Sequence, residues 1–354
     1  MKLLILTVFI IFSILIPCQI VLLNNSYTEN LPYDFDGFNE NYYSCEKMNI
    51  RPYIIKGGVY YIVMPKKCKN KVKDNSLVIF IPGWPVMIPD TYFFWLEHLA
   101  KRGNIVLYAT YYPFKNSKRY TGIVYSMVID TLNLLGEKNI NIENIAIVGH
   151  SSGGCIAMNI ASMISDNKYV PPVKAIMALE PGNGSYVKDN NLIPFATGFS
   201  LKNLSNLNRD TLLLILIGEA STDDFLENSI NIYDLTKSIP PTNKNIIMFK
   251  SVNKDNEKLI ANHFFPVSWG LIPGVGIGED DAPKMFDLLD IVDGRFNFFD
   301  VDILDYKLWN LFDALMDAAF YNIRKDDALG GTDKQTFMGY WPDGSEIDRP
   351  VILK

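Results

Sequence analysis

The chain has 354 residues, of which 48% are hydrophobic and 20% charged, and its formal net charge is -6. A chain of this length and composition can bury a sizeable core, which argues against a disordered protein and is compatible with one large α/β domain. The acidic balance gives no electrostatic basis for binding nucleic acid, so we expect no such partner.

Residues 1–23 form a hydrophobic targeting segment. An apolar run begins at Leu3, and apolar residues continue past Pro17 as far as Leu23. The run before Pro17 is typical of a signal-peptide core, whereas residues 3–23 together are long enough to tether the protein to a membrane as an uncleaved anchor. Both interpretations stay open, with Pro17 favouring the cleaved signal, and both predict a secreted or cell-surface protein.

Residues 24–50 are polar and lack periodicity, which predicts an exposed N-terminal arm before the main domain at 51–354. Two apolar segments within residues 52–64 then flank a Lys-Gly-Gly sequence, the pattern of a β-hairpin. Cys45 and Cys68 lie on either side of this hairpin. In an oxidising compartment they would close a disulfide, and otherwise they would stay free thiols.

Short apolar runs alternate with longer amphipathic stretches through the middle of the chain. The runs predict strands at 77–81, 105–109, 145–148, 173–179, 212–217 and 246–249. Because these runs are apolar on both faces, they fit parallel strands that are covered by helices on both sides. The amphipathic stretches predict helices at 92–102, 120–135 and 152–164. The predicted fold is α/β, with a doubly wound, mostly parallel sheet and flanking helices.

After about residue 266 the pattern changes to a C-terminal extension. Its main element is an amphipathic helix over 304–319. The polar residues assigned to its outer face are Asp305, Asn310, Asp313 and Asp317. The glycine run at 274–278 follows no strand, which predicts a loop instead of a dinucleotide site, and the aspartates of 280–305 miss the spacing of a calcium loop. We therefore expect no cofactor and no metal.

The segment from Gly149 to Gly154 carries the strongest functional signal. It contains a G-x-S-x-G pattern centred on Ser151, placed directly between the apolar run at 145–148 and a helix rich in small residues. This context is that of a nucleophile elbow, in which a sharp strand-to-helix turn exposes the serine and aims the helix N-terminus at its oxygen. Ser151 is therefore the candidate nucleophile.

A serine nucleophile needs a base, most often histidine, and the chain contains three. The ring of His150 cannot easily reach the oxygen of its neighbour Ser151. His98 lies in a helix well before the elbow, where a surface or helix-packing role is expected. His263 follows the last predicted strand, 263 − 151 = 112 residues after the serine, and is the candidate base by elimination and by position.

The acid and the oxyanion hole complete the predicted site. Glu180 ends the strand at 173–179, while Asp223 and Asp224 follow the strand at 212–217, and any of the three carboxylates would serve to orient His263. The backbone N–H groups of Ser152 and Trp84 are the predicted oxyanion donors. Tyr111 and the aromatic residues after it are interpreted as loop packing, with an acyl pocket as the alternative.

With these motifs, residues 52–266 resemble the α/β-hydrolase superfamily, within the branch that holds dienelactone hydrolases, platelet-activating-factor acetylhydrolase, chlorophyllase and cutinase-like enzymes. The sequence Pro82-Gly83-Trp84 resembles the oxyanion loop of the cutinase-like members, and the doubled glycine at 153–154 is similar to the elbow of this branch. The resemblance implies the same fold and a serine esterase or lipase-like activity without a cofactor.

The acid position departs from the cutinase-like pattern, because Ser221 stands where those enzymes carry an aspartate. Chlorophyllase-like members place the acid in Leu-Asp-Pro after the preceding strand, which resembles Leu179-Glu180-Pro181. The spacing from the nucleophile, 180 − 151 = 29 residues, is similar too. The resemblance therefore favours Glu180 over Asp223 and Asp224.

The sequence thus predicts a hydrolase that cleaves a small-molecule or lipid-like carboxylic ester through a Ser-His-acid triad and an acyl-enzyme. Two alternatives remain: a catalytically inactive binding module with the same fold, and a serine peptidase. The acyl and alcohol groups of the substrate and the oligomeric state have no signal in the sequence.

Overall fold

The computed structural model describes residues 42–69, 75–84, 88–111, 119–182, 201–254, 257–268, 303–341 and 343–354. The predicted targeting segment, the glycine run at 274–278 and most of the acidic stretch at 280–305 lie outside the described residues. In the part of the chain that is described, no helix has both the length and the apolar character needed to cross a membrane.

A mixed sheet of nine strands forms the centre of the molecule in the described ranges. The strands are β1 Cys45–Ile55, β2 Gly58–Cys68, β3 Ser76–Ile81, β4 Ile105–Ala109, β5 Asn144–His150, β6 Val173–Leu179, β7 Leu212–Gly218, β8 Lys244–Phe249 and β11 Val351–Ile352. Two further strands, β9 Val252–Lys254 and β10 Glu257–Leu259, form a separate hairpin between β8 and β11 in the chain. Their order is β1-β2-β4-β3-β5-β6-β7-β8-β11. The six strands from β4 to β8 in this order are parallel, while β1, β2 and β11 pair antiparallel at the two edges.

Helices cover both faces of the sheet. They are α1 Phe93–Lys101, α2 Tyr120–Glu137, α3 Ser152–Ser165, α4 Asp223–Leu235, α5 Ile303–Tyr321, α6 Lys325–Leu329 and α7 Asp333–Thr336. Helices α1 and α5 share one core cluster with the sheet, and α2, α3 and α4 contribute to the cluster on the other face. The chain therefore has an α/β fold with a mostly parallel sheet, and the predicted strands fall in β3 to β8.

Several elements and one element boundary were not expected from the sequence. β1 begins at Cys45, so the last six residues of the predicted arm, 45–50, belong to the sheet. The short strands β9 to β11 have too few residues to show a period. Helix α4 was missed because its buried face mixes Phe225 and Ile232 with Asn228 and Ser229, which weakens the apolar signal.

Cys45 and Cys68 form a disulfide. The two residues face each other in the β1–β2 register at the open end of the hairpin, with their Cα atoms 3.9 Å apart. Of the two alternatives for these cysteines, the bonded one is therefore present. Cys155 lies buried in α3 as a free thiol, and burial raises the pKa of that thiol to about 12.

Helix α5 differs from its prediction in one respect. Asp305, Asp313 and Asp317 were assigned to a solvent-facing side, but all three are buried. The assignment was wrong because α5 packs against other elements on its polar side as well. Asp313 accepts hydrogen bonds from Tyr42 Oη at 2.6 Å and from His98 Nε2 at 2.8 Å. His98 is accordingly a buried helix-packing residue and not a surface residue.

Candidate active site

Ser151 occupies the sharp turn between β5 and α3. Its φ of 57° and ψ of -127° lie in a region that non-glycine residues rarely adopt, so the turn is strained. The backbone is held on two sides: Ser151 N–H donates to Leu179 O at 2.8 Å, and Gly182 N–H donates to Ser151 O at 3.0 Å. Neighbouring segments thus keep the serine in the strained conformation.

The glycines of the elbow are required by close backbone approach. A Cβ on Gly149 would lie 2.2 Å from Gly153 O, and a Cβ on Gly153 would lie 2.2 Å from Ile81 O. Both contacts are with backbone atoms, which cannot move aside as a side chain would. The pattern of glycines two residues either side of Ser151 therefore lets α3 start directly against β5 and β3.

His263 lies against Ser151. Its Nε2 is 3.0 Å from Ser151 Oγ, within hydrogen-bond range. The imidazole stacks on the ring of Phe225, with centroids 4.2 Å apart and planes 18° from parallel. Burial lowers the pKa of His263 to about 4, so the ring is neutral near pH 7. A neutral imidazole with Nε2 facing the hydroxyl is able to accept its proton.

Glu180 is the carboxylate that the structure brings to His263. Its side chain is fully buried, and Oε2 lies 3.7 Å from His263 Nδ1. This is ion-pair range but longer than a hydrogen bond. Both Glu180 Oε2 and His263 Nδ1 are buried without a hydrogen-bond partner among the described residues. A shift of the carboxylate by roughly 1 Å would pair them, and such distances commonly shorten when a substrate binds.

The hydrogen bonds of the other Glu180 carboxylate oxygen, Oε1, explain why Oε2 lies 3.7 Å from His263 Nδ1. Glu180 Oε1 accepts hydrogen bonds from the backbone N–H of Gly218 and from Ser221 Oγ, the latter at 2.7 Å. These donors hold the carboxylate toward the end of β7. Burial raises the pKa of Glu180 to about 7, although Ser221 and Gly218 act in the opposite direction.

The alternative acids lie elsewhere. Asp223 and Asp224 form the exposed first turn of α4, where carboxylates interact favourably with the helix dipole. They were considered because they follow β7, but the chain turns into the helix before either side chain approaches His263. Of the three candidate carboxylates, Glu180 is the one in ion-pair range of His263.

The predicted oxyanion loop runs beside Ser151, the candidate nucleophile. A Cβ on Gly83 would lie 3.2 Å from Ser151 Cβ. Trp84 N–H donates to Ser152 Oγ at 3.1 Å, and Ser152 is the first residue of α3, whose backbone N–H has no acceptor within its own helix. Both predicted donors, Trp84 and Ser152, are therefore at the elbow.

Tyr111 completes a hydrogen-bond network that holds the loop of Pro82, Gly83 and Trp84. Its hydroxyl donates to Pro82 O at 2.9 Å and lies 2.7 Å from Ser152 Oγ, which in turn accepts from Trp84 N–H. The interpretation of Tyr111 as a loop-packing residue missed this role. A buried Tyr at a strand end requires a hydrogen-bond partner, and that rule was the available signal.

Sequence reasoning also missed Ser221 and Phe225, which contact Glu180 and His263. Ser221 follows β7 and Glu180 follows β6, so neighbouring parallel strands deliver them to the same sheet edge. Strand adjacency is the signal that would have paired them. No signal in the sequence indicates the stacking of Phe225 on His263, because α4 itself was not predicted.

No model of a known protein family matches this chain, and no curated protein matches it.

Proposed function

We propose that the protein is a serine hydrolase of the α/β-hydrolase superfamily that cleaves carboxylic esters. Ser151 Oγ attacks the ester carbonyl carbon while His263 Nε2 takes the hydroxyl proton. The resulting oxyanion is stabilised by the backbone N–H of Ser152 and by that of Trp84, which leaves its acceptor Ser152 Oγ to do so. His263 then protonates the departing alcohol, leaving an acyl group on Ser151.

The second half of the reaction repeats these roles with water. His263 removes a proton from a water molecule, which attacks the acyl-enzyme carbonyl. Collapse of this intermediate releases the carboxylic acid and returns the proton from His263 to Ser151. Glu180 orients the imidazole and stabilises its charged form in both halves.

The observation that carries the proposal is the 3.0 Å contact of His263 Nε2 with Ser151 Oγ, at a serine whose φ is 57° on a strand-to-helix turn. A serine hydroxyl buried for structural reasons has no need of strained backbone geometry and a neutral imidazole together. The same contact disfavours an inactive binding module, which would be free to lose it.

The chain order of nucleophile, acid and base also supports the superfamily, because α/β-hydrolases carry Ser, then the acid, then His. Within the superfamily, the position of Glu180 after β6 supports the branch with its acid on that strand. The Cys45–Cys68 disulfide supports a secreted or cell-surface location. Small-molecule or lipid-like esters are the proposed substrates.

Labelling with a fluorophosphonate probe tests the activity. We expect the wild-type protein to form a covalent adduct, located by mass spectrometry on the peptide that contains Ser151. Ser151→Ala should abolish labelling. Ser165→Ala, at the exposed last residue of α3, is the matched control and should label like the wild type. A wild-type protein that does not label would contradict the proposal and favour the inactive module.

A substrate panel then separates esterase from peptidase. We expect the wild-type protein to hydrolyse p-nitrophenyl esters of several acyl lengths and to show no comparable hydrolysis of peptide anilides, with the Ser151→Ala variant as the blank for both series. Faster turnover of the peptide series would overturn the ester assignment while leaving Ser151 as nucleophile.

A further inference from the structure

His150 has no part in the mechanism above, yet it lies at the centre of a buried hydrogen-bond chain. Its Nδ1 is 2.6 Å from Tyr92 Oη, and its Nε2 is 2.7 Å from the backbone carbonyl of His263. The side chains of His150 and Tyr92 are both buried. His150 is therefore saturated at both ring nitrogens by groups from two distant segments.

The partners fix the direction of each hydrogen bond. A carbonyl oxygen only accepts, so Nε2 of His150 carries the proton and donates it to His263 O. Nδ1 of the neutral ring is then the acceptor, and Tyr92 Oη–H donates to it. The chain continues one step further, because Gly83 N–H donates to Tyr92 Oη at 3.3 Å.

The neutral ring is essential to this arrangement, since a protonated His150 would have no acceptor for the Tyr92 hydroxyl. Burial lowers the pKa of His150 to about 3, and the neighbouring His263 ring, with its centroid 5.0 Å away, acts in the same direction. The chain is thus intact throughout the neutral pH range.

The two ends of the chain are the two loops that flank the nucleophile. Gly83 precedes Trp84 in the predicted oxyanion loop, and His263 is the proposed base. His150 itself precedes Ser151 on the rigid end of β5. One side chain thereby connects both loops to the strand that carries the nucleophile.

We propose that His150 is a positioning residue, which sets His263 through its backbone carbonyl and sets the Trp84 loop through Tyr92. This inference rests on the proposed function, because it assigns His150 a role in keeping that site aligned. Misplacement of a reacting group by about 1 Å can cost about 100-fold in rate.

Three substitutions separate the two arms of the chain. His150→Asn keeps a group at the Nδ1 position for Tyr92 and removes the donor to the His263 carbonyl. His150→Gln keeps an amide nitrogen near the Nε2 position and removes the acceptor for Tyr92. Tyr92→Phe removes one hydroxyl and leaves His150 in place, and it serves if the His150 variants do not fold.

The measurement is the rate of fluorophosphonate labelling of Ser151, together with kcat and KM on an ester and the thermal unfolding temperature. We expect His150→Asn to slow labelling and kcat by about 10- to 100-fold, with KM nearly unchanged, because alignment and not ground-state binding is lost. Tyr92→Phe should slow both by a smaller factor. Its effect should shrink in the His150→Gln background, where the acceptor is already absent.

His98→Gln is the matched control, because His98 is also buried, also lies 3.0 Å from a Tyr hydroxyl at Nδ1, and takes no part in the proposed chemistry. It should lower the unfolding temperature without slowing labelling of the folded protein.

Labelling of His150→Asn and Tyr92→Phe at the wild-type rate would overturn the positioning role and leave the hydrolase assignment standing. Equal losses of unfolding temperature in His150→Asn and His98→Gln, with rates unchanged in both, would reduce His150 to a structural residue. A wild-type protein that neither labels nor hydrolyses esters would overturn both proposals.

Discussion

Two histidine–carboxylate pairs in this molecule combine the same chemical groups but lie in different environments. His263 and Glu180 lie at the elbow, with 3.7 Å between Nδ1 and Oε2. His98 and Asp313 lie between α1 and α5, with 2.8 Å between Nε2 and Oδ2. The first pair is longer than a hydrogen bond and its histidine contacts a serine, whereas the second pair is hydrogen-bonded within a buried polar cluster.

The carboxylates differ in the charge around them. Burial on its own would raise the pKa of Asp313, but Arg102 and His98 beside it hold that pKa well below its usual range. Arg102 reaches Asp313 at 2.8 Å and Asp317 at 2.9 Å. Around Glu180 the donors are the neutral groups Gly218 N–H and Ser221 Oγ, and burial raises its pKa to about 7.

The comparison teaches that a histidine–carboxylate pair alone does not indicate reactivity. In the Asp313 cluster the carboxylate meets the positive charge of Arg102, and the two ring nitrogens of His98 contact Asp313 and the Tyr43 hydroxyl. At the elbow no lysine or arginine of the described residues pairs with Glu180, and the side chain of His263 is 22% exposed beside Ser151. When His263 takes up a proton, its positive charge is attracted by the carboxylate of Glu180, and this attraction is strong because the carboxylate is buried.

The largest expected effect is the loss of activity when His263 is replaced, with His98 as the comparison. We expect His263→Ala to lower kcat/KM by about 10⁴-fold or more, because the serine loses its base. His98→Gln should leave kcat/KM of the folded protein within a few-fold of wild type. Steady-state ester hydrolysis by both variants checks this, and a similar loss in both would erase the distinction between the pairs.

Removing the charge of the acid should cost less than removing the base. Glu180→Gln is expected to lower kcat by about 10³- to 10⁴-fold, because the amide no longer stabilises protonated His263. Asp223→Asn and Asp224→Asn are the controls, and each should retain wild-type kcat. A large loss in either control with an active Glu180→Gln would move the acid to the start of α4.

In the other pair, the corresponding change should affect stability and not rate. Asp313→Asn removes the fully buried partner of Arg102 and leaves it paired with Asp317 only, which is expected to lower the free energy of unfolding by up to about 3 kcal/mol. Urea denaturation at pH 7 measures this loss, while kcat of the folded fraction should stay near wild type. A change under about 1 kcal/mol would show that the cluster contributes little.

The pH dependence of stability should have opposite signs for the two carboxylates. Asp313 has a lowered pKa, so its contribution is present above about pH 4 and is lost as the pH falls toward its folded-state pKa. Glu180 has a pKa raised to about 7, so its contribution is present below its unfolded pKa and is lost as the pH rises through about 7. Unfolding curves of Asp313→Asn and Glu180→Gln against wild type should diverge in these two separate windows, and divergence in the same window would contradict the assignment.

The smallest expected effect is a shift in the pH dependence of kcat/KM when Ser221, a hydrogen-bond donor to Glu180, is replaced. In the wild type, kcat/KM should rise with pH through about 7 as Glu180 loses its proton. Ser221→Ala removes a hydrogen bond to the charged form, so this limb should move to higher pH by about one unit. Ser165→Ala should leave the profile unchanged. A shift to lower pH would show that Ser221 disfavours the carboxylate.

Much of the fold and part of the site were accessible from the sequence. The runs that became β3 to β8 are apolar on both faces, which distinguishes buried parallel strands from other elements. The burial of the aspartates of α5 could not be predicted from the sequence. Periodicity identifies the apolar face of a helix but does not tell whether a second neighbour covers the polar face. Helix α4 was lost for the related reason that Asn228 and Ser229 lie on its buried face.

The sequence by itself determined the elbow, because Gly149, Ser151 and Gly153 act on one another within a few consecutive residues and their steric demands are local. Tertiary structure alone decided which carboxylate meets His263 and which groups His150 contacts. Those contacts join loops separated by tens of residues, and strand order and side-chain packing set their distances. A spacing along the chain therefore indicated the candidate nucleophile, whereas the geometry around it had to come from the folded sheet.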